Sequence, residues 1–250
     1  MGYWSGKNVL CIGDSMTSAG GWQAELAREL SCNVRTHANG GIGLIDMVDG
    51  QEGTTDADVM YDPTTDVCGK LGRLTVERVA WADLIILCGP FNERHVEYGE
   101  RGDTYPEKNT LWAKYSYVLD RIFALLDETG RLDCRVALVT PHCVGCYDWI
   151  PVDGYSEFPE GSGRTLETMA GVICDIAGSY HLPCYDAWHS SGIGRFTWKK
   201  FCHSPVVMDE SYDPAKKYDA PYPMFADQVH MNEAGHARLG HCIAGFVETI

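Results

Sequence analysis

Ser15, Asp227 and His230 are residues whose types could together break an acyl bond. A neutral serine hydroxyl is a weak nucleophile, so it needs a base as it attacks and an acid that reprotonates the leaving group. Histidine does both near neutral pH, and a neighbouring carboxylate orients the ring and stabilises the imidazolium. Asp227-Gln228-Val229-His230 supplies both partners on one short segment, where a loop can curl so that the two side chains meet. The remaining need is a set of donors facing the charge that develops on the carbonyl oxygen.

These residues have to be placed by the elements around them. Ser15 ends an apolar run, Val9 to Ile12, that breaks at Gly13-Asp14-Ser15 and is followed by Trp22, Leu26 and Leu30 at four-residue spacing. That pattern reads as strand, tight turn, helix. Helix-start N–H groups lack internal partners and carry partial positive charge, which suits an oxyanion. Gly-Asp-Ser also occurs as an ordinary turn, and Asp14 reads as the residue that shapes it through side-chain to backbone bonds. At the other end, His230 precedes Met231-Asn232-Glu233-Ala234-Gly235-His236 and a helical pattern in Leu239, Ile243, Phe246, Val247 and Ile250. Asn232 is the expected N-cap of that last helix, with His236 also helping to fix its start.

Between the two ends, strands alternate with helices. Strands are expected at Cys32 to Ala38, Ala82 to Gly89, Arg135 to Thr140 and Leu182 to Ala187. Helical spacing runs through Leu111, Tyr115, Val118, Leu119, Ile122 and Leu126, and again through Leu166, Met169, Ile173, Ile176 and Ala177; Leu71 to Ala80 is a further expected helix. This order implies a doubly wound, flavodoxin-like parallel sheet of about five strands in a three-layer α/β/α sandwich. Such sheets place their sites at the carboxyl ends of the strands, where Ser15, Gly41 and Asn92 all fall. Gly40-Gly41-Ile42-Gly43 marks a sharp turn or a close backbone approach, or simply a flexible strand-to-helix turn. Asn92 reads either as a turn residue or as a donor, since an amide donates without titrating.

With Gly-Asp-Ser near the start, Asn92 at a strand end and D-x-x-H-x-N-x-x-G-H near the end, the sequence resembles the SGNH hydrolases, also called the GDSL esterase/lipase family. The resemblance implies Ser15, Asp227 and His230 as the catalytic triad. It also implies an oxyanion hole built from the N–H of Ser15, a glycine N–H after the second strand and the Asn92 side chain. Gly41 is favoured for the glycine, with Gly43 as the alternative. The sequence departs from the usual family pattern in lacking the Asn-x-Gly-x-x-Gly spacing and in reading Gly-Pro-Phe-Asn-Glu where Gly-x-Asn-Asp is usual. The implied activity is hydrolysis of a small O-acyl ester, an O-acetyl group foremost, on a carbohydrate, with no metal or other cofactor.

Composition sets the remaining bounds. At 250 residues with 45% hydrophobic content, the chain suits one well-buried domain over 1–250, and no linker or repeat divides it. A formal net charge of −15 argues against nucleic acid and anionic membrane surfaces as partners. No apolar run reaches the length of a membrane span, and no export signal is evident at the start. Eleven cysteines is an odd count, which fits a reducing compartment such as the cytoplasm better than a full disulfide framework. Val48 to Gly69 reads as a long surface excursion, and Trp188 to Phe225 as an irregular, aromatic-rich wall or lid of a pocket, or a satellite core.

Rival readings use overlapping residues. A lysophospholipase or thioesterase would share the triad but prefer long acyl chains. Cys143-x-x-Cys146 is half of a zinc site that Cys174, Cys184, Cys202 or His203 would have to complete. A metal phosphoesterase would use Asp14, Asn92 and histidines, but lacks the paired Asp-x-His and Gly-His-x-His segments such sites need. A non-catalytic carbohydrate-binding module would have no need of a nucleophile and base together. The oligomeric state is not legible.

Overall fold

Leu10, Cys11 and Ile12 have no solvent exposure, as a strand covered on both faces requires. They belong to β1, Asn8–Gly13, the second of five strands in a wholly parallel sheet of order β2-β1-β3-β4-β5. β2 is Asn33–Ala38, β3 Leu84–Cys88, β4 Arg135–Val139 and β5 Cys184–Tyr185. The computed structural model describes residues 2–54, 70–144, 163–202 and 229–250.

Register follows the apolar runs: Val9 to Gly13 pair with Leu84 to Cys88, which in turn pair with Arg135 to Val139. The helices are α1 (Ser15–Ser18), α2 (Gly21–Leu30), α3 (Asp46–Asp49), α4 (Val76–Trp81) and α5 (Leu111–Glu128), then α6 (Leu166–Ser179), α7 (Ala187–Ser190), α8 (Trp198–Phe201) and α9 (Glu233–Val247). Because crossovers between parallel strands are right-handed, α2, on the step from β1 outward to β2, lies on the opposite face from α4, α5 and α6, which step the other way. α9 returns to pack along α2, and α4 packs against α5, so the sheet sits in the middle of an α/β/α sandwich.

Three local expectations are corrected. The helix expected from Leu71 to Ala80 begins at Val76, because the residues before it turn their backbone outward. Leu71 C=O accepts from Gln51 N–H at 2.9 Å and Leu74 N–H donates to Val48 C=O at 3.0 Å, and the Thr75 hydroxyl then caps the helix. The fifth strand spans only Cys184–Tyr185, since Asp186 already caps α7 through the His189 N–H. The described part of the long aromatic segment is also less irregular than expected, carrying α7 and α8. Its remainder, 203–225, lies outside the described residues, as does 55–69 of the earlier excursion.

Candidate active site

Ser15 is the first residue of α1, directly after β1, and Asp14 is what holds it there. The Asp14 side chain is fully buried; Oδ1 accepts the Met16 N–H at 3.0 Å and Oδ2 accepts the Phe91 N–H at 2.9 Å. One carboxylate therefore caps the turn that carries Ser15 and fastens it to the turn that carries Asn92. Burial pushes Asp14 up to about 6, against the two N–H bonds and nearby His230, which pull it down.

His230 arrives from the far end of the chain. Its segment is pinned by Asn232, whose Nδ2 donates to Lys200 C=O at 2.9 Å and Cys202 C=O at 3.2 Å while its Oδ1 caps α9 by accepting from Gly235 N–H at 3.0 Å. Met231 pairs with Cys202 in an antiparallel bridge beside it. The outcome is that His230 Nε2 stands 2.8 Å from Ser15 Oγ, across 215 residues of sequence. His236, expected at the helix start, has its ring over Gly21, where an added Cβ would come 2.5 Å from the ring; it joins α9 to α2. Asp227 lies outside the described residues.

The strand-end donors converge on the same rim. Asn92 sits in a single 3-10 turn, Phe91–Glu93, just after β3, and its Nδ2 donates to Ile42 C=O at 2.9 Å. An amide nitrogen has two protons, so one remains for a ligand. In the glycine loop after β2, Gly43 N–H is occupied by Asp46 Oδ2 at 3.2 Å, and Gly40 N–H by the Asn39 side chain at 2.9 Å. Gly41 N–H has no hydrogen-bond acceptor among the described residues, and its φ of 76° is one that a side chain would oppose. Gly40 places its backbone close to Ser15, an added Cβ there reaching the serine Cβ at 3.9 Å.

Other titratable groups near the rim serve the core. His142, at the end of β4, is 2% exposed, packs its ring on Phe91, and its Nδ1 is 2.7 Å from Cys143 C=O. Burial pulls it down to about 4. His37 is held the same way, at about 4, with Nε2 bonded to Met47 C=O at 3.1 Å. Among the described residues no cluster of three or more His, Cys, Asp or Glu could hold a metal. Cys174 and Cys184 face each other at 3.5 Å, while Cys146 and His203 lie outside the described residues. No helix among the described residues is long and apolar enough to cross a membrane.

No protein-family model matches the sequence, and no curated protein matches it with significance. Solved structures do. A candidate SGNH hydrolase from Slackia heliotrinireducens superposes with a TM-score of 0.51 at 16% identity, covering 97% of this chain and 100% of that one. The fold is that of the SGNH hydrolases. The acetylxylan esterase of Geobacillus stearothermophilus gives a TM-score of 0.53 at 19% identity over 99% of this chain and 96% of that one. A Lactobacillus plantarum protein gives 0.58 at 17% identity over 98% of each chain. In this SGNH-type fold Ser15 and Asn92 stand at strand ends as the sequence pattern predicts, whereas Glu93, which the sequence marks only as a departure from the family pattern, proves to be a buried part of the site. Its signal in the sequence is a carboxylate directly after a strand-end Asn.

Proposed function

We propose that the protein is a serine esterase that removes a short O-acyl group, an O-acetyl group foremost, from a carbohydrate. The observation that carries this is the 2.8 Å approach of His230 Nε2 to Ser15 Oγ. In that geometry the serine hydroxyl donates to Nε2, and the proton passes to the ring as Oγ bonds to the ester carbonyl carbon. The carbonyl π electrons move to oxygen, which is met by the N–H groups of Ser15 and Gly41 and by the free proton of Asn92 Nδ2. Collapse breaks the bond to the sugar oxygen, which takes the proton from His230. Water then repeats the sequence on the acyl-serine, with His230 again as base, releasing acetate.

Asp227 takes the role of orienting the His230 ring, on the strength of its place three residues before it in the sequence. The occupied N–H of Gly43 and the Gly41 N–H, which has no acceptor among the described residues, support Gly41 as the glycine donor. Support for an acetyl ester comes from the acetylxylan esterase among the structural neighbours, one solved form of which is a catalytic mutant with serine changed to alanine. Of the described aromatic residues in this segment, Trp188 and Trp198 are buried in the core, whereas Phe196 is exposed and offers a face on which a sugar ring could stack.

The test is acetate release from p-nitrophenyl acetate and a panel of acetylated sugars, with Ser15→Ala in parallel and chelator in half the samples. Chelator-insensitive release that disappears in the variant is expected. Absence of turnover on every short ester, together with no labelling of Ser15 by an organophosphate, would sink the proposal; preference for long acyl chains would transfer it to a lysophospholipase.

A further inference from the structure

Glu93 is 3% exposed, an unusual place for a carboxylate unless it is paired. Its two oxygens do separate tasks. Oε1 accepts the Leu44 N–H at 2.7 Å, and Oε2 pairs with Lys114 Nζ of α5 at 2.6 Å. The preceding residue, Asn92, reaches the same loop two residues earlier, at Ile42 C=O. Between these anchor points lies Gly43, where an added Cβ would stand 2.7 Å from Oε1, so the carboxylate occupies the space a side chain would need. α5 braces the same turn a second time, through the Tyr115 hydroxyl donating to Gly89 C=O at 2.8 Å.

We infer that Glu93 is a positioning residue: its carboxylate clamps the Gly41 loop to the Asn92 turn and thereby fixes the separation of the two oxyanion donors, with Lys114 neutralising the buried charge. This rests on the proposed serine-esterase reading. The Glu93 carboxylate takes no part in proton transfer and its oxygens face the Leu44 amide and Lys114. Its effect arises because an oxyanion hole works through donors already in place when charge develops, so a loop free to shift loses stabilisation in the transition state alone. Without the clamp, Asn92 keeps one bond to Ile42, which allows the loop to pivot about that bond. The Leu44 N–H is meanwhile left without its acceptor. Turnover should therefore fall while ground-state binding of substrate does not.

Charge-balanced double variants test this, since Glu93→Ala alone would strand Lys114. Glu93→Gln with Lys114→Met keeps an acceptor for Leu44 N–H and removes both charges. Glu93→Leu with Lys114→Met fills similar volume without an acceptor. With p-nitrophenyl acetate, the Leu variant should lose about 10- to 100-fold in kcat at unchanged KM. The Gln variant should stay within about threefold of the parent, by the same argument about a kept acceptor. Equal kcat in the two double variants, or a loss confined to KM, overturns the inference. Should the Leu variant not fold, Gly43→Ala displaces the same oxygen from the other side, and an unchanged kcat there overturns the inference on its own. A parent protein inactive on all short esters overturns the esterase reading and this inference together, whereas an active, Ser15-dependent parent with insensitive Glu93 variants overturns only the clamp.

Discussion

Asp14 Oδ2 accepts the Phe91 N–H at 2.9 Å, joining the ends of β1 and β3 across 77 residues. Desolvation lifts this carboxyl to about 6 in the folded protein. A raised carboxyl favours the fold below its unfolded value, near 3.9, and that contribution is lost as pH climbs through about 6. His37 and His142, both pulled down to about 4, act oppositely: their contribution is full above about 6.5 and is lost as pH falls through about 4. The reason is visible in each ring, whose second nitrogen, His37 Nδ1 or His142 Nε2, has no partner among the described residues to receive an added proton.

Each of these three groups carries on the order of 3 kcal/mol across its window, so the two histidines outweigh the aspartate. Urea midpoints should therefore fall between pH 6.5 and 4.5. Asp14→Asn, which removes the opposing contribution, should make that fall steeper. A midpoint that holds or rises on acidification would contradict the burial argument.

The 2.8 Å contact between Ser15 and His230 predicts strongly non-additive losses. Ser15→Ala and His230→Ala should each lower kcat on p-nitrophenyl acetate by roughly 10⁴-fold or more, and the double variant should be scarcely worse than either. Additive losses in the double variant would mean that the two residues do not act on the same proton.

Asn92 is a donor with one proton committed to Ile42 and one to spare. Asn92→Ala should cost about 2.7 to 4 kcal/mol of activation free energy, read as a kcat loss with KM little changed. Asn92→Asp, which replaces the donating NH2 by oxygen, should be no better than the alanine variant. An active Asp variant would place the oxyanion elsewhere.

Asn232 holds the His230 segment through three hydrogen bonds, two to the α8 end and one as N-cap of α9. Asn232→Ala should lower stability by about 1 to 2 kcal/mol. Because the same bonds pin the turn beside His230, kcat should fall too, whereas Asn232→Asp should recover the cap but not the donations to Lys200 and Cys202. Calorimetry and turnover on the same samples separate the two effects; full activity in the alanine variant would show that His230 is held by other contacts.

Local chemistry carried much of this in the sequence. The apolar runs of β1, β3 and β4 and the four-residue spacing of α2, α5 and α9 are short-range periodicities, and alternation of the two types sufficed for a parallel, doubly wound sheet. The Asp14 turn and the Asn232 cap were legible for the same reason, each being a bond to a backbone N–H two or three residues away. Only the tertiary structure decided where α4 starts, because Leu71 and Leu74 spend their backbone groups on the chain near Val48 and Gln51. It alone showed that the Gly43 N–H is taken by Asp46 while the Gly41 N–H has no acceptor among the described residues, and that the Glu93 carboxylate, from another strand end, fills the space at Gly43. It alone brought His230 to Ser15. A period or a cap is written into neighbouring residues, but a contact between residues 49 or 215 positions apart, as for Leu44 with Glu93 and Ser15 with His230, exists only once the strands have paired and the helices have closed over them.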